Sequence, residues 1–131
     1  MQPVNYGIVR TIEATFEDAK SLITEKLAAE GFGILSEIDV QATLKKKLDF
    51  DFKPYTILGA CNPPLAKRAL LAEPAIGLML PCNVIVTDEG EGRVSIAAMD
   101  PKAAMATIGN PELDEVAAEV REKLERVMAA L

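Results

Sequence analysis

The stretch Cys82-Asn-Val-Ile-Val-Thr-Asp-Glu-Gly-Glu-Gly-Arg-Val-Ser-Ile-Ala-Ala98 decides the fold. Two runs rich in β-branched residues, 82–87 and 93–98, flank an acidic, glycine-containing turn at 88–92, the pattern of a β-hairpin. A hairpin makes its two strands antiparallel, which sets this chain apart from the βαβ alternation that builds a parallel sheet. The turn lacks the alternating oxygen ligands and the distal Glu of a calcium loop, so its charges read as solvated.

Working toward the N-terminus, 75–81 is an apolar connection, and before it the strand 55–60 runs into Cys61-Asn62-Pro63-Pro64. Asn suits a helix N-cap and Pro the first helical position, so a helix is expected through Leu65, Ala66, Ala69 and Leu70 until Pro74 ends it. Further upstream, Val4, Tyr6, Ile8 and Ile12 share one parity and predict a first strand. Thr15 is placed to cap a helix carrying Phe16, Ala19, Ile23 and Leu27, with Gly31 as its left-handed terminator. A second strand is read over 32–38. Asp39 then caps a short helix bearing Val40, Leu44 and Leu48, with Lys45, Lys46 and Lys47 near its C-terminal end, where positive charge suits the dipole. Downstream, Asn110-Pro111 opens a last helix in which Leu113, Ala117, Val120, Leu124, Val127 and Leu131 form one stripe. The expected fold is α+β, a single domain over 1–131, with a largely antiparallel sheet and helices packed on one face.

The 131 residues hold 14 Lys+Arg, 20 Asp+Glu, no His, no Trp, two Cys and six aromatics, a net charge of −6. Without imidazole, Ser/His and Cys/His dyads and histidine metal sites are absent, and no metal or cofactor is expected. The acidic balance and scarcity of stacking aromatics argue against nucleic acid as a partner. No apolar run approaches the about 20 residues of a membrane span and no signal peptide is visible, so a cytoplasmic location and reduced thiols are expected. The mean hydropathy is slightly positive, which suggests apolar surface covered by a second copy, a homodimer.

Two segments pair Cys with Asn at a strand border, Cys61-Asn62 and Cys82-Asn83. A thiol just ahead of a helix N-terminus has its thiolate favoured by the dipole, which makes Cys61 the sharper chemical candidate; the plainer reading is a small buried residue closing a strand. The chain between the two cysteines is long enough to bring them back together, though nothing in the spacing requires it. Glu73, set among apolar neighbours, is a candidate general acid or base, or else an exposed carboxylate at a helix end. Lys67 or Arg68 could join the helix N-terminus in holding a small anion.

With those residues in view, Tyr55-x-Ile-Leu-Gly-Ala-Cys-Asn-Pro63, Glu73-Pro74, Ile76-Gly77, Leu80-Pro81-Cys82-Asn83-Val84 and Asp100-Pro101 resemble the domain of unknown function 302 family, over essentially the whole chain. The resemblance implies a TBP-like α+β fold and a dimer, and brings no activity. The family's marked positions fall on Cys61, Asn62, Pro63, Glu73, Pro74, Gly77, Pro81, Cys82 and Asn83. Three readings follow. The first is a dimeric small-ligand-binding or accessory protein whose site uses Asn62, Pro63, Gly77, Pro81 and Asn83. The second is a thiol-based redox or sulfur-transfer enzyme using Cys61 or Cys82, with Glu73 assisting. The third is a purely structural dimerisation module.

Overall fold

The computed structural model describes residues 1–131. Its elements are β1 (Gly7–Glu13), α1 (Phe16–Ala29), β2 (Gly33–Asp39), α2 (Val40–Leu48), β3 (Tyr55–Cys61), α3 (Pro63–Ala72), a 3-10 helix (Pro74–Met79), β4 (Cys82–Gly90), β5 (Arg93–Met99), α4 (Pro101–Met105), a 3-10 turn (Ala106–Ile108) and α5 (Pro111–Ala129). The strands form one sheet in the order β1-β5-β4-β3-β2, every neighbouring pair antiparallel. The expected hairpin is its centre.

The two outermost strands are joined by α1, which must therefore cross the whole sheet. Fourteen residues at 1.5 Å rise give about 21 Å, and four strand spacings of about 4.8 Å give about 19 Å. Because β1 and β2 run in the same direction, the connection must also return about a strand length, so α1 crosses diagonally and the residues flanking it complete the span. Thr15 caps it by accepting from the Asp18 N–H at 3.1 Å, and Gly31 leaves it at φ +87°, where a side chain would be strained.

Ala19, Ile23 and Leu27 of α1 and Leu113, Val116, Ala117, Val120, Leu124, Val127 and Met128 of α5 are buried. They cover one sheet face, whose inward residues Leu58, Ala60, Val84, Val86, Val94, Ile96 and Ala98 are each 2% exposed or less. Full burial of each large aliphatic side chain is worth about 1.5–3 kcal/mol, so this layer is the main source of stability. Arg10 of β1 closes it by donating to the carbonyls of Met128 and Ala129 at 2.9 and 3.0 Å, where α5 ends with unpaired acceptors. By contrast, α2 buries no residue.

Three sequence expectations are modified. The first strand starts at Gly7, and Met1–Tyr6 precedes it. The apolar connection after Pro74 is a 3-10 helix, followed by a cis Leu80–Pro81 bond. Between β5 and α5 lies α4, capped by Asp100, which accepts from the Lys102 and Ala103 N–H groups and pairs with Arg121 of α5 at 3.1 Å.

Where β4 is bulged between Asp88 and Gly90, the extra residue Glu89 meets the Met1 ammonium at 3.3 Å and Lys53 at 3.6 Å. Burial alone would raise this carboxyl, but the Met1 ammonium, Lys53 and the Ser95 hydroxyl hold it below its ordinary value of 4.5. A depressed carboxyl stabilises the folded state above its unfolded value, and that contribution disappears as pH falls through the folded value. Glu89→Gln is therefore expected to be less stable than the parent at neutral pH and to flatten the acid limb of stability below about pH 4.5. Urea midpoints against pH check this; parallel curves for the two proteins would contradict it.

Candidate functional site

The sequence between β3 and β4 makes a long excursion and returns to the strand it left. Pairing of Ala60 with Cys82 brings the start of β4 against the end of β3, so Cys61 and Cys82 occupy diagonal positions at one end of the sheet. Gly59 permits this return. A Cβ at 59 would lie 2.7 Å from the Pro81 ring and 2.2 Å from the Ser36 hydroxyl. The serine can rotate away, whereas the proline ring is fixed to the backbone that leads into β4.

Helix α3 does not lie on the sheet. Its Leu65 and Ala69 are buried, and it packs on α5. Arg68 pairs with Glu119, and Asn110 donates to the Ala72 carbonyl at 2.8 Å and to Glu73 Oε1 at 3.2 Å. Asn110 also accepts from the Glu112 and Leu113 N–H groups and so caps α5. Held by α5 at the sheet's end, α3 leaves a cavity of about 340 Å³ between itself, α5, α4 and the ends of β3 and β4. Ala60, Cys61 and Cys82 border it from the sheet, Leu65, Ala66, Ala69 and Leu70 from α3, and Val116, Ala117 and Val120 from α5. Asp, Glu, Lys and Arg are all missing from its lining. Leu35, 70% exposed, and Leu70, 43% exposed, both border it and mark an apolar mouth.

Of the residues singled out in the sequence, Cys61, Asn62, Gly77, Pro81 and Cys82 line this cavity. Pro63, Glu73 and Asn83 do not. Pro63 is exposed at the start of α3, and Asn83 is exposed beside Cys82 in β4, where strand alternation turns it away from the helices. Glu73 is half-buried where α3 gives way to the 3-10 helix, and its carboxylate is engaged by Asn110. The three groups Cys61, Glu73 and Cys82 therefore do not share one cavity.

Asn62 stands at the N-cap of α3, yet its side chain makes no cap bond. It reaches back and donates to the Glu30 carbonyl at 3.2 Å, tying the end of α1 to the start of α3. Pro63 and Pro64 remove two of the N–H groups a helix N-terminus ordinarily offers, and Arg68 is committed to Glu119. The start of α3 is thus a poor anion cradle. Burial, and then the neighbouring Cys61, push the Cys82 thiol up to about 11, so it is protonated at neutral pH. Both cysteines are free thiols, Cys61 half-buried and Cys82 buried.

The chain matches the model of the family described as "Domain of unknown function DUF302" over residues 8–131. It belongs to the DUF302 family. Among solved structures it is similar to the crystal structure of an uncharacterized conserved DUF302 protein from Bacillus stearothermophilus, at 28% identity and a TM-score of 0.89, covering 97% of this chain and 98% of that one. No curated protein matches the chain. DUF302 membership agrees with the resemblance carried by the two Cys-Asn segments, and the cavity is a feature of this chain's own geometry.

The sequence reading missed Phe32, Met105, Val116 and Val120, which also line the cavity. The last two lie on the apolar stripe of α5, which was read as packing on the sheet throughout.

Because the thiolate is the reactive form, alkylation of native protein near pH 8 is expected to modify Cys61 first and to leave Cys82 until the protein is unfolded. Peptide mass mapping against time reads the order; modification of Cys82 ahead of Cys61 would contradict this assignment.

Proposed function

We propose that this chain is a binding protein for a small, uncharged, largely apolar molecule seated between α3, α5 and the ends of β3 and β4. The observation that carries the reading is a preformed cavity whose lining holds no charged side chain. Ligand sites are concave, mostly apolar and few per protein. The volume of about 340 Å³ is roughly twice that of the ~150 Å³ apolar cavity known to take up benzene, which suits a two-ring compound or a short aliphatic chain. Polar contacts for orientation are limited to the Asn62 amide, main-chain groups and the two thiols. General acid–base catalysis is a weaker reading, since Glu73 stands outside the cavity and Cys82 holds its proton.

Neutral probes such as indole and n-octanol should raise the unfolding temperature, with about 2.7 kcal/mol of stabilisation at a hundredfold excess over Kd. Ala66→Leu, which fills part of the cavity from α3, is expected to abolish the shift, while Asn83→Ala keeps it. A shift retained in Ala66→Leu, or lost in Asn83→Ala, would remove the proposed site.

A homodimer through the sheet face opposite α1 and α5 forms part of this reading. Across that face Val9, Ala97, Ile85, Ile57 and Ile38 are successive partners in the strand register, a continuous apolar row of which Ile38 is 48% exposed. On one side of the row Asn83 and Gly59 are uncharged; on the other, Ser95 and Thr87 are already buried within the chain, where Ser95 accepts from the Met1 ammonium and Thr87 donates to the Pro54 carbonyl, so a second copy would stack on the row itself. Light scattering at micromolar concentration should give twice 14.1 kDa, and Ile57→Lys should return the mass to one chain. A monomeric parent protein would refute the dimer and leave the cavity reading intact.

A further inference from the structure

We propose that the cavity selects neutral apolar molecules carrying one hydrogen-bond donor, an N–H or O–H of the indole, phenol or primary-alcohol class, and that the side-chain oxygen of Asn62 is the acceptor that selects them. The proposal rests on the apolar-ligand reading and names the ligand chemistry which that reading leaves open.

Chemistry fixes which way the Asn62 amide points. A carbonyl oxygen can only accept, so the atom 3.2 Å from the Glu30 carbonyl is the amide nitrogen Nδ2, and Oδ1 lies on the other arm of the amide. Gly31 makes room for this arrangement. A Cβ at 31 would stand 3.1 Å from Nδ2, so the nitrogen is lodged against the end of α1 and its remaining N–H stays on that side.

Oδ1 finds no partner within the chain. An Asn at an N-cap ordinarily accepts from the second or third N–H of its helix, but α3 opens with Pro63 and Pro64, which have none, and the side chain makes no cap bond at all. The buried side-chain polar atoms that lack a partner belong to Glu89 and Arg121 alone. Oδ1, unpartnered yet outside that set, therefore keeps accessible surface. Asn62 borders the cavity, and among the residues that do so it is the one whose side chain contains an oxygen or a nitrogen.

An occupant thus meets one strong side-chain acceptor and neither a carboxylate nor a cation. A ligand N–H or O–H pairs with Oδ1. A hydrocarbon that displaces water from Oδ1 leaves it without a donor, and an ether or ketone brings a second acceptor to the first. Carboxylates are disfavoured further, because an anion would enter a lining that offers it no positive charge.

Indole, indene and benzofuran share one bicyclic shape and differ at a single ring position, occupied by N–H, CH2 and O. Their dissociation constants are measured with the parent protein and with Asn62→Leu, which keeps the side-chain size and removes the acceptor; comparing the two proteins cancels the unequal hydration of the probes. The ratio of the indene Kd to the indole Kd is expected to be roughly three- to tenfold higher in the parent than in the variant, the scale of one neutral hydrogen bond, and the benzofuran ratio should move the same way. Equal ratios in the parent and a folded variant would overturn Asn62 as the selector, with binding of the probes still supporting the apolar-ligand reading. Failure of all three probes to bind the parent would overturn both. Thermal unfolding reports whether Asn62→Leu is folded; should it not be, the parent alone decides. The N–H proton of isotope-labelled indole in the complex is expected well downfield of its resonance in cyclohexane, where it has no acceptor, and a bound resonance at the cyclohexane position would overturn the proposal.

Discussion

The return of the chain to the sheet at Gly59 and Pro81 is the constraint on which the site depends. A strand that leaves the sheet for some twenty residues and comes back beside itself must re-enter in register, since a slip of one residue turns every side chain of β4 to the other face. The absent side chain at 59 lets the Pro81 ring sit against β3, and from there Cys82, Val84 and Val86 fall on the helix-covered face. With that register set, the two Cys-Asn segments become neighbours and the excursion between them becomes the wall of a cavity.

The cavity itself follows from a mismatch between helices and sheet. One face is filled by α1, which must cross from one outer strand to the other, and by α5, whose stripe lies alongside it. Little room remains for α3, which is fixed to α5 by Arg68–Glu119 and by Asn110 and projects past the end of the strands. Packed interiors rarely leave voids larger than a water molecule. A space of about 340 Å³ opening between exposed leucines departs from that pattern, and the proposed binding of an apolar ligand rests on it. Exposed apolar side chains continue from the mouth onto the excursion at Leu71 and Leu78, 76% and 90% exposed.

Much of the fold was legible in the sequence because its signals are local. Thr15, Asp39 and Asn110 each bond the N–H groups expected of an N-cap, the hairpin pairs antiparallel, and the resemblance to the DUF302 family is matched by the family model over residues 8–131. What escaped depends on tertiary placement. The sequence marks Asn62 as an N-cap, but the nearby end of α1 offers it an unpaired carbonyl, and the side chain goes there. The five-residue α4 is shorter than periodicity can detect, although Asp100-Pro101 is a start signal. Two features were readable and went unused: alternation sends Asn83 away from Cys82, and Pro63-Pro64 leaves the start of α3 short of donors. The cavity could not be read, because it exists where a helix fails to reach a sheet.

Xenon enters dry apolar cavities and scatters strongly, so a crystal of the protein held under xenon pressure tests the central claim most directly. The account predicts xenon density bounded by Cys82, Leu65 and Val120, with α3 standing off the sheet's end. A space closed by the side chains of α3 and α5, with no xenon between them, would contradict it.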